Sequence, residues 1–348
     1  MYNQFFGLQK APFSMTPDPA LLFMPPQHRE ALAGLTYAIL NRKGFAVLIG
    51  DAGTGKTTLL SRILRSLPKS RIHSSVILNP TLTANEFLEM ALMDFGITEV
   101  PPSKTQRLAS LHRLLLQNHT ENKVSVLIID EAHKLSPVLL EEIRLLSNFE
   151  FAEEKLLQIV LSGQNELGDV LNEHHLRQLK QRISVRLALG PLAKHEVEQY
   201  IHYRWTKCGG AQAIPFSVEA LKAIASWSQG IPRLINSICD NALTAAFGLG
   251  ASVIEASHIA EVAVDLDLKA PLGEHHEPAP APAKTAAPVP AKTAASAPPK
   301  LAAPAPTILA APRAVAEMLP IRVFDPERLA AATPSLLSRW TRKLGLTQ

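Results

Sequence analysis

The sequence contains little cysteine, and nowhere does it contain a long apolar run. Its two cysteines, Cys208 and Cys239, lack the spacing of metal ligands, so we expect them to be buried small apolar residues of a protein in a reducing compartment. No uninterrupted apolar stretch reaches the roughly 18 residues of a membrane-spanning helix. The start, MYNQFFGLQKAPF, lacks the apolar core of a signal peptide. We therefore expect a soluble, cytoplasmic protein with no transmembrane segment.

The sequence also has only a small excess of positive charge. Formal net charge is +4 over 348 residues, and part of the positive charge lies in the arginine-rich stretch 177–186. A clustered basic face indicates nucleic-acid binding, whereas a mild global excess does not. Composition alone therefore neither indicates nor excludes DNA as a partner.

The regions of the sequence differ in their patterns. Residues 1–40 form a lead-in and a first helix, and residues 41–190 alternate short apolar runs with helical patterns, as a parallel sheet with crossover helices does. Residues 191–268 show helical periodicity only. Residues 269–320 are rich in Ala and Pro without periodicity, which predicts a disordered linker, and residues 321–348 contain a short amphipathic segment.

These patterns predict an α/β fold: a core with a parallel sheet, an all-helical lid and a disordered C-terminal tail. Continuous apolar runs indicate strands that are buried on both faces, and ligands of such sheets bind at the carboxyl ends of the strands. The predicted strands cover residues 45–49, 75–78, 124–129, 157–161 and 184–189.

The first predicted strand leads into GDAGTGKT at residues 50–57, a full match to GxxxxGK[ST] between a strand and a helix, which predicts that the α/β core is a P-loop NTPase core. Glycines let backbone N–H groups close around phosphate oxygens, and the helix N-terminus adds its positive dipole end. Lys56 is predicted to reach the β- and γ-phosphates of ATP, and the Thr57 hydroxyl to bind Mg²⁺. The predicted nucleotide-binding residues are Gly50, Asp51, Ala52, Gly53, Thr54, Gly55, Lys56, Thr57 and Thr58.

Two adjacent carboxylates follow the third predicted strand, in VLIIDEAH. Asp130 is predicted to hold Mg²⁺ together with Thr57, and Glu131 to orient and polarise the attacking water. A solvated strand end is the structural alternative. The letters DEAH also occur in helicases, but a helicase motor needs a second RecA-like domain, for which this chain has no room.

Polar residues also follow the fourth predicted strand, which should lie between the strands that carry the P-loop and the acidic pair. Gln164 is the predicted sensor of the γ-phosphate or of the lytic water, with Asn165 and Ser162 as alternatives. A purely turn-forming role is the competing interpretation.

The basic stretch LRQLKQRI precedes the fifth predicted strand. If copies of the chain assemble into a ring, an arginine here can stabilise phosphoryl charge in the neighbouring subunit. Arg182 is the first candidate for this trans contact, with Arg177 and Arg186 in reserve. A solvated basic helix face is the alternative.

A further arginine opens a helix in the predicted lid, in the string GIPR at residues 230–233. Gly230 can end the preceding helix in a left-handed conformation, and Pro232 can begin the next one. Arg233 then lies in the first turn, where a positive charge opposes the helix dipole unless an anion meets it. Arg233 is therefore predicted to contact the γ-phosphate from the lid, with an ordinary surface arginine as the alternative.

The two phosphate-site motifs, the polar residue after the fourth strand and GxPR together resemble the AAA+ pattern. The lead-in narrows the resemblance to the ExeA/GspA family of secretion-pathway AAA+ ATPases, whose ATPase domain is of the origin-recognition/DEAH type. The resemblance covers residues 1 to about 268. It is carried by FFGL at 5–8, PFS at 12–14, TPDP at 16–19, LF at 22–23, HREAL at 28–32, LSGQNEL at 161–167 and LRQLKQRI at 176–183.

The resemblance implies several properties of the chain. The stretch around Phe23, Met24 and His28 is implied to lie near the adenine. The implied activity is Mg²⁺-dependent ATP hydrolysis by a nucleotide-dependent homo-oligomeric ring, acting as a switch or assembly factor with a protein partner in a secretion- or pilus-type process. Two alternatives stay open: an ATP-gated DNA-binding ATPase of the transposition-helper kind, and a non-hydrolysing scaffold, against which the intact Glu131 and Arg233 speak.

Overall fold

The computed structural model describes residues 2–210 and 213–268 of the chain. The predicted linker at 269–320 and the predicted amphipathic segment at 321–348 lie outside the described residues. The helices and strands in chain order are α1 Tyr2–Phe5, α2 Pro26–Leu40, β1 Phe45–Gly50, α3 Lys56–Ser66, β2 Ile72–Ile77, α4 Ala84–Asp94, α5 Lys104–Thr120, β3 Val124–Ile129, α6 Pro137–Leu146, β4 Glu150–Phe151, β5 Glu154–Lys155, β6 Leu157–Gly163, α7 Asn165–Val170, α8 Arg177–Arg182, β7 Ile183–Leu189, α9 Lys194–Lys207, α10 Val218–Ser228, α11 Pro232–Leu249 and α12 Ala256–Asp265.

The main sheet has five strands in the order β2-β3-β6-β1-β7, and each neighbouring pair is parallel. The predicted α/β fold with a parallel sheet is therefore confirmed. Strand β6 lies between β1 and β3, so the carboxyl ends of these three strands meet at one edge of the sheet. That edge is where parallel sheets of this kind bind their ligands.

The central strands fit the continuous apolar pattern, but the outer strands do not. Every residue of β1, β3 and β6 is buried, whereas β7 at the edge alternates between half-buried and exposed residues up to its buried last residue. Burial on both faces is therefore wrong for β7, because an edge strand is covered by α2 on one face only. Strand β2 begins at Ile72, earlier than predicted, because Ile72 and the polar residues His73 and Ser74 that follow it also pair with β3.

Local capping signals place several helices as expected. The Thr83 hydroxyl accepts from the Glu86 N–H while the Glu86 carboxylate accepts from the Thr83 N–H, so α4 begins with a capping box. Ser136 caps α6 in the same manner, with its hydroxyl accepting from the Leu139 N–H, and Pro137 occupies the first helical position.

Two apolar clusters hold the described residues together. One packs the sheet against α4, α5 and α6, and the other packs helices α9 to α12 with one another and with the lead-in. Leu8, Phe13 and Leu21 of the lead-in are buried in this second cluster. A full side-chain burial of this kind contributes about 1.5–3 kcal/mol, so the lead-in is held firmly to the helices of the lid.

The helical region also contains both cysteines. Cys208 and Cys239 are unpaired and buried in the second apolar cluster, as expected. Within the described part of residues 191–268, the segments between helices form one parallel β-bridge, which joins Phe216 and Ile254. Across residues 2–210 and 213–268, every helix falls short of the length and apolar character that crossing a membrane requires.

Candidate functional site

A cavity of about 440 Å³ lies at the sheet edge defined by the ends of β1, β3 and β6. Its walls come from the loop after β1, the lead-in at residues 14–18 and 21–23, and the facing sides of α9 and α11. Ala52, Gly53, Thr54, Gly55, Lys56, Thr57 and Thr58 of the predicted nucleotide-binding residues line the cavity. Gly50 and Asp51 are not among its lining residues but begin the same loop.

The loop after β1 turns sharply because two of its glycines adopt a left-handed conformation. Gly53 has φ of +83° and Gly55 has φ of +99°, a region that residues with a Cβ rarely adopt. The Thr54 hydroxyl donates to the Asp51 carbonyl at 2.9 Å and closes the turn. Helix α3 begins directly after Gly55, so its positive dipole end faces the cavity.

Lys56 is folded over this loop. Its ammonium donates to the carbonyls of Gly50 at 2.7 Å and of Asp51 at 2.9 Å, and the residue is only 6% exposed. Burial lowers the pKa of Lys56, whereas the nearby carboxylates of Asp130 and Glu131 act in the opposite direction. A buried cation that is bound mainly to carbonyl dipoles is well suited to an anionic ligand.

Thr57 and Asp130 meet at the end of β3. The Thr57 hydroxyl donates to Oδ2 of Asp130 at 2.5 Å, and Oδ1 of Asp130 accepts from the Ser162 hydroxyl at 2.8 Å and from the Glu131 N–H at 3.0 Å. Among the described residues, no group of three or more His, Cys, Asp or Glu side chains could hold a metal ion. One hydroxyl and one carboxylate nevertheless fit Mg²⁺, which binds through one or two carboxylates together with water and phosphate oxygens.

Glu131 lines the cavity in an uncommon backbone conformation. Its φ of +53° and ψ of +33° are left-handed, which is uncommon for a residue with a side chain, and its side chain is 34% exposed. The carboxylate lies 3.4 Å from the Lys134 ammonium and 3.6 Å from Nε2 of His133. The acidic pair predicted from the sequence is thus divided, with Asp130 facing Thr57 and Glu131 facing the cavity.

The polar residues at the end of β6 point to three different partners. Gln164 lines the cavity, and its backbone N–H lies 3.4 Å from Nδ1 of His133. Ser162 is buried against Asp130, whereas Asn165 is exposed and its amide donates to Oδ1 of Asp51 at 2.5 Å. The structure therefore brings Gln164 to the cavity. Ser162 instead holds Asp130, and Asn165 holds Asp51 at the start of the phosphate loop.

Arg233 reaches the cavity from the lid. Its backbone N–H donates to the Gly53 carbonyl at 3.2 Å, and the residue lines the cavity at the start of α11. A Cβ at Gly53 would lie 2.6 Å from the Cβ of Arg233. Glycine at position 53 is therefore needed both for the turn of the loop and for the close approach of the lid.

Arg182 does not face this cavity. Its guanidinium donates to the Ser147 hydroxyl at 2.6 Å, the Asn148 side-chain carbonyl at 2.7 Å and the Arg144 backbone carbonyl at 3.1 Å. These contacts tie the end of α8 to the end of α6. The reserve candidates Arg177 and Arg186 are exposed. A trans contact by any of these arginines stays a prediction.

Two of the three lead-in residues that the resemblance placed near the adenine line the cavity, namely Phe23 and His28. Met24 is not among the lining residues. Nε2 of buried His28 lies 3.1 Å from the Thr54 carbonyl, and because a carbonyl only accepts, this nitrogen carries the proton. The Phe23 ring packs edge-on against Tyr200 of α9, with a centroid distance of 5.9 Å.

The buried position of His28 predicts a dependence of stability on pH. Burial lowers the pKa of His28 below its ordinary value of 6.5, so the unfolded chain binds a proton at a pH where the folded chain does not. The free energy of unfolding should fall as the pH drops below 6.5, by up to about 1.4 kcal/mol per pH unit. Urea unfolding at a series of pH values should show a shallower fall for His28→Gln. In the matched control, exposed His195→Gln, the wild-type fall should persist, and an equal fall in all three proteins would contradict the assignment.

Sequence reasoning missed three side chains that line this cavity, Tyr200, Arg204 and Asn236, and a fourth beside it, His133. His133 stood within the DEAH string, but its contacts to Glu131 and Gln164 need the strand order to be known. Tyr200 donates to the Asn236 side-chain carbonyl at 2.7 Å and accepts from Arg204 at 2.9 Å, and Arg204 also donates to the Pro12 carbonyl at 2.5 Å. Tyr200 and Arg204 lie one turn apart on α9, but Asn236 comes from α11 and Pro12 from the lead-in, so spacing alone does not reveal the network.

Comparison with known proteins agrees with this geometry. Residues 39–171 match the family model described as an AAA domain. The chain is 45% identical over 258 residues to General secretion pathway protein A of Aeromonas hydrophila, and the match covers 73% of this chain and 46% of that protein. The chain thus spans about half the length of this curated relative.

Solved structures share the fold. The Aeropyrum pernix ORC1 protein in complex with DNA gives a TM-score of 0.56 at 16% identity, covering 74% of this chain and 69% of that one. The ORC2 protein of the same organism gives 0.54 at 15% identity, with 72% of each chain covered. Cdc6p from Pyrobaculum aerophilum gives 0.52 at 20% identity, covering 69% of this chain and 68% of that one.

Identities this low show the fold alone, whereas the match to General secretion pathway protein A also supports a sequence relationship. The recognition made from the motifs is therefore confirmed: the chain carries an AAA domain with the AAA+ fold and is a relative of General secretion pathway protein A.

Proposed function

We propose that this chain binds ATP with Mg²⁺ in the cavity and hydrolyses it, and that assembled copies act as a switch or assembly factor in a secretion- or pilus-type process. One observation carries the enzymatic part. The ends of β1 and β3 bring the Lys56 ammonium, the Thr57–Asp130 pair and the Glu131 carboxylate together at one cavity. Phosphoryl transfer depends on positioning and charge stabilisation of this kind more than on covalent chemistry by the protein.

In this proposal, some residues of the cavity bind the nucleotide and others take part in the reaction. The loop amides, the Lys56 ammonium and the dipole end of α3 bind the triphosphate, and Thr57 and Asp130 hold the metal. When bound, Mg²⁺ neutralises charge on the β- and γ-phosphates. Glu131 orients the attacking water and polarises it by accepting a hydrogen bond from it, and Gln164 and Arg233 contact the γ-phosphate from the sheet and the lid.

The switching part of the proposal rests on the two apolar clusters. The cavity lies between the carboxyl ends of the strands and helices α9 and α11, and the sheet and these helices belong to different apolar clusters. A ligand that touches both sides binds the closed arrangement more tightly than an open one and therefore shifts the population towards closure. Arg233 links the two sides directly through its hydrogen bond to Gly53.

The process and the partners are proposed by similarity. The name of the Aeromonas hydrophila relative refers to the general secretion pathway. Assembly into a ring, with an arginine near α8 acting on the neighbouring nucleotide, would make hydrolysis depend on protein concentration.

The basic side chains of residues 177–186 are partly engaged within the chain. Lys180 donates to the Asn172 side chain, and Arg182 donates to the end of α6. We therefore favour a protein partner over the DNA-gated alternative.

Loss of the Lys56 ammonium should abolish the activity. Purified wild-type chain with ATP and Mg²⁺ should release phosphate, and Lys56→Ala should reduce both release and nucleotide affinity by a factor of about 100 or more, because the buried cation faces the triphosphate. Malachite-green phosphate assays and fluorescent-nucleotide titrations measure the two quantities. Exposed Lys69→Ala serves as the matched control and should behave as wild type. Phosphate release by Lys56→Ala at the wild-type rate would refute the proposed function.

A further inference from the structure

The turn that follows Asp130 is pressed against the end of β6. This short 3-10 turn spans Ala132–Lys134, and a Cβ at Gly163 of β6 would lie 3.1 Å from the His133 backbone nitrogen and 2.9 Å from Cδ2 of Leu167. A larger residue at position 163 would therefore have to push the turn away. The absence of a side chain there lets the turn approach β6 and sets the His133 ring between two predicted reaction residues.

The His133 ring contacts both Gln164 and Glu131. Its Nδ1 lies 3.4 Å from the Gln164 backbone N–H, and its Nε2 lies 3.3 Å from the Gln164 side-chain amide and 3.6 Å from the Glu131 carboxylate. Since a backbone N–H can only donate, Nδ1 must accept, and a neutral imidazole then carries its proton on Nε2.

The Nε2 proton of His133 has two acceptors within reach. An N–H cannot donate to an amide nitrogen, so the Gln164 amide presents its oxygen to Nε2, an orientation that the hydrogen-bond network decides. The second acceptor is the Glu131 carboxylate, which lies 3.6 Å from Nε2, just beyond hydrogen-bond distance, so that a small rotation of its side chain completes the contact. The same N–H of His133 can therefore donate either to Gln164, the predicted γ-phosphate sensor, or to Glu131, the predicted water-orienting carboxylate.

We propose that His133 is a positioning residue that couples Gln164 to Glu131. When Gln164 turns its amide towards the γ-phosphate, the Nε2–H of His133 stays on the ring and donates its hydrogen bond to Glu131 instead, which fixes that carboxylate in the orientation that aligns water. The proposal deepens the proposed ATPase function and rests on it. It makes hydrolysis depend on a correctly bound triphosphate, since a diphosphate offers Gln164 no γ-phosphate oxygen.

The alternative partner of Glu131 cannot provide such coupling. The Lys134 ammonium also approaches the carboxylate, but the side chain of Lys134 is 49% exposed, so water and salt screen the pair. The side chain of His133 is 13% exposed and is aimed by its Nδ1 contact. A hydrogen bond in this drier setting holds direction better than an exposed ion pair.

Two substitutions of His133 test the acceptor Nδ1 and the donor Nε2 of its ring separately. His133→Asn places an oxygen near the position of Nδ1 but has nothing at Nε2, whereas His133→Gln can place an N–H near the position of Nε2. We expect His133→Asn and His133→Ala to lower kcat about 10- to 100-fold, because misplaced reacting groups commonly lose that much, and His133→Gln to retain kcat within about threefold. Affinity for a slowly hydrolysed ATP analogue should change less than about twofold in all of them.

A double-mutant cycle tests the coupling itself. Gln164→Ala alone should lower kcat, and adding His133→Asn to it should lower kcat little further, because the two residues act through one proton. Exposed His195→Ala is the matched control and should turn over as wild type does. Additive losses in the cycle, or a loss in His133→Gln as large as in His133→Asn, would overturn the proposal.

The outcome also separates this inference from the function on which it rests. If the wild-type chain hydrolyses ATP in a Lys56-dependent manner while His133→Asn retains full kcat, the coupling is refuted and the ATPase stands. If the wild type shows no Lys56-dependent hydrolysis, both are refuted. Equal weakening of analogue binding and kcat in His133→Asn would assign His133 to binding and refute the positioning role.

Discussion

Replacing Glu131 with glutamine should lower kcat for ATP hydrolysis by a factor of about 100 to 10,000, the usual contribution of a positioned general base, and leave ATP affinity within about threefold. The Glu131 side chain lines the cavity, and it approaches Lys134 and His133 rather than the phosphate loop. Glutamine keeps the shape of the side chain but accepts protons poorly. Binding and reaction should therefore separate at this residue.

Single-turnover phosphate release and analogue titration measure the two effects of Glu131→Gln. Exposed Glu198→Gln on α9 removes the same charge away from the cavity and should show wild-type values for both. An unchanged kcat in Glu131→Gln would remove Glu131 from the reaction. A parallel loss of affinity would instead show that its charge serves nucleotide binding.

Replacing Gly230 with alanine should destabilise the lid by more than about 3 kcal/mol, because backbone clashes of this kind belong to the large end of single-residue effects. Gly230 has φ of +75°, and a Cβ there would lie 2.1 Å from the Leu192 carbonyl oxygen. The backbone cannot retreat easily, because the Leu192 N–H donates to the Gly230 carbonyl at 2.8 Å. Urea unfolding followed by tryptophan fluorescence measures the loss.

Gly248→Ala provides the matched control for Gly230→Ala. Gly248 lies within α11, and a Cβ there would meet no atom within 4 Å. Alanine favours a helix over glycine by about 1 kcal/mol, so this variant should unfold at the same or a higher urea concentration. Similar unfolding midpoints for the two variants would contradict the packing described for Gly230.

The features that follow from short stretches of sequence were predictable. The strand, glycine loop and helix around Lys56 form one continuous stretch, residues 45–66, and the turn of the loop is set by its glycines. Asp130 meets Thr57 as expected because parallel strands end at a common edge. The prediction of Pro232 at the start of a helix also agrees with α11.

Other features depend on contacts between distant segments and could not be predicted. Strand β7 looked like any buried strand until its place at the edge of the sheet was known. The β4–β5 hairpin turns at Ala152 and Glu153, which both have positive φ, although hairpin turns of this kind usually carry Asn or Gly. The guanidinium of Arg182 donates hydrogen bonds to residues at the end of α6, and sequence spacing does not reveal these contacts.

The packing of the lead-in with the lid helices also has a mechanical consequence. The chain leaves this joint cluster between Phe23 and Pro26, builds the sheet, and returns to the cluster between Gly190 and Leu192. The lead-in and lid helices are therefore joined covalently to the sheet at these two places, and a rotation of one side against the other has to occur about them. Any opening of the cavity must then carry the amino-terminal segment along with helices α9 to α12.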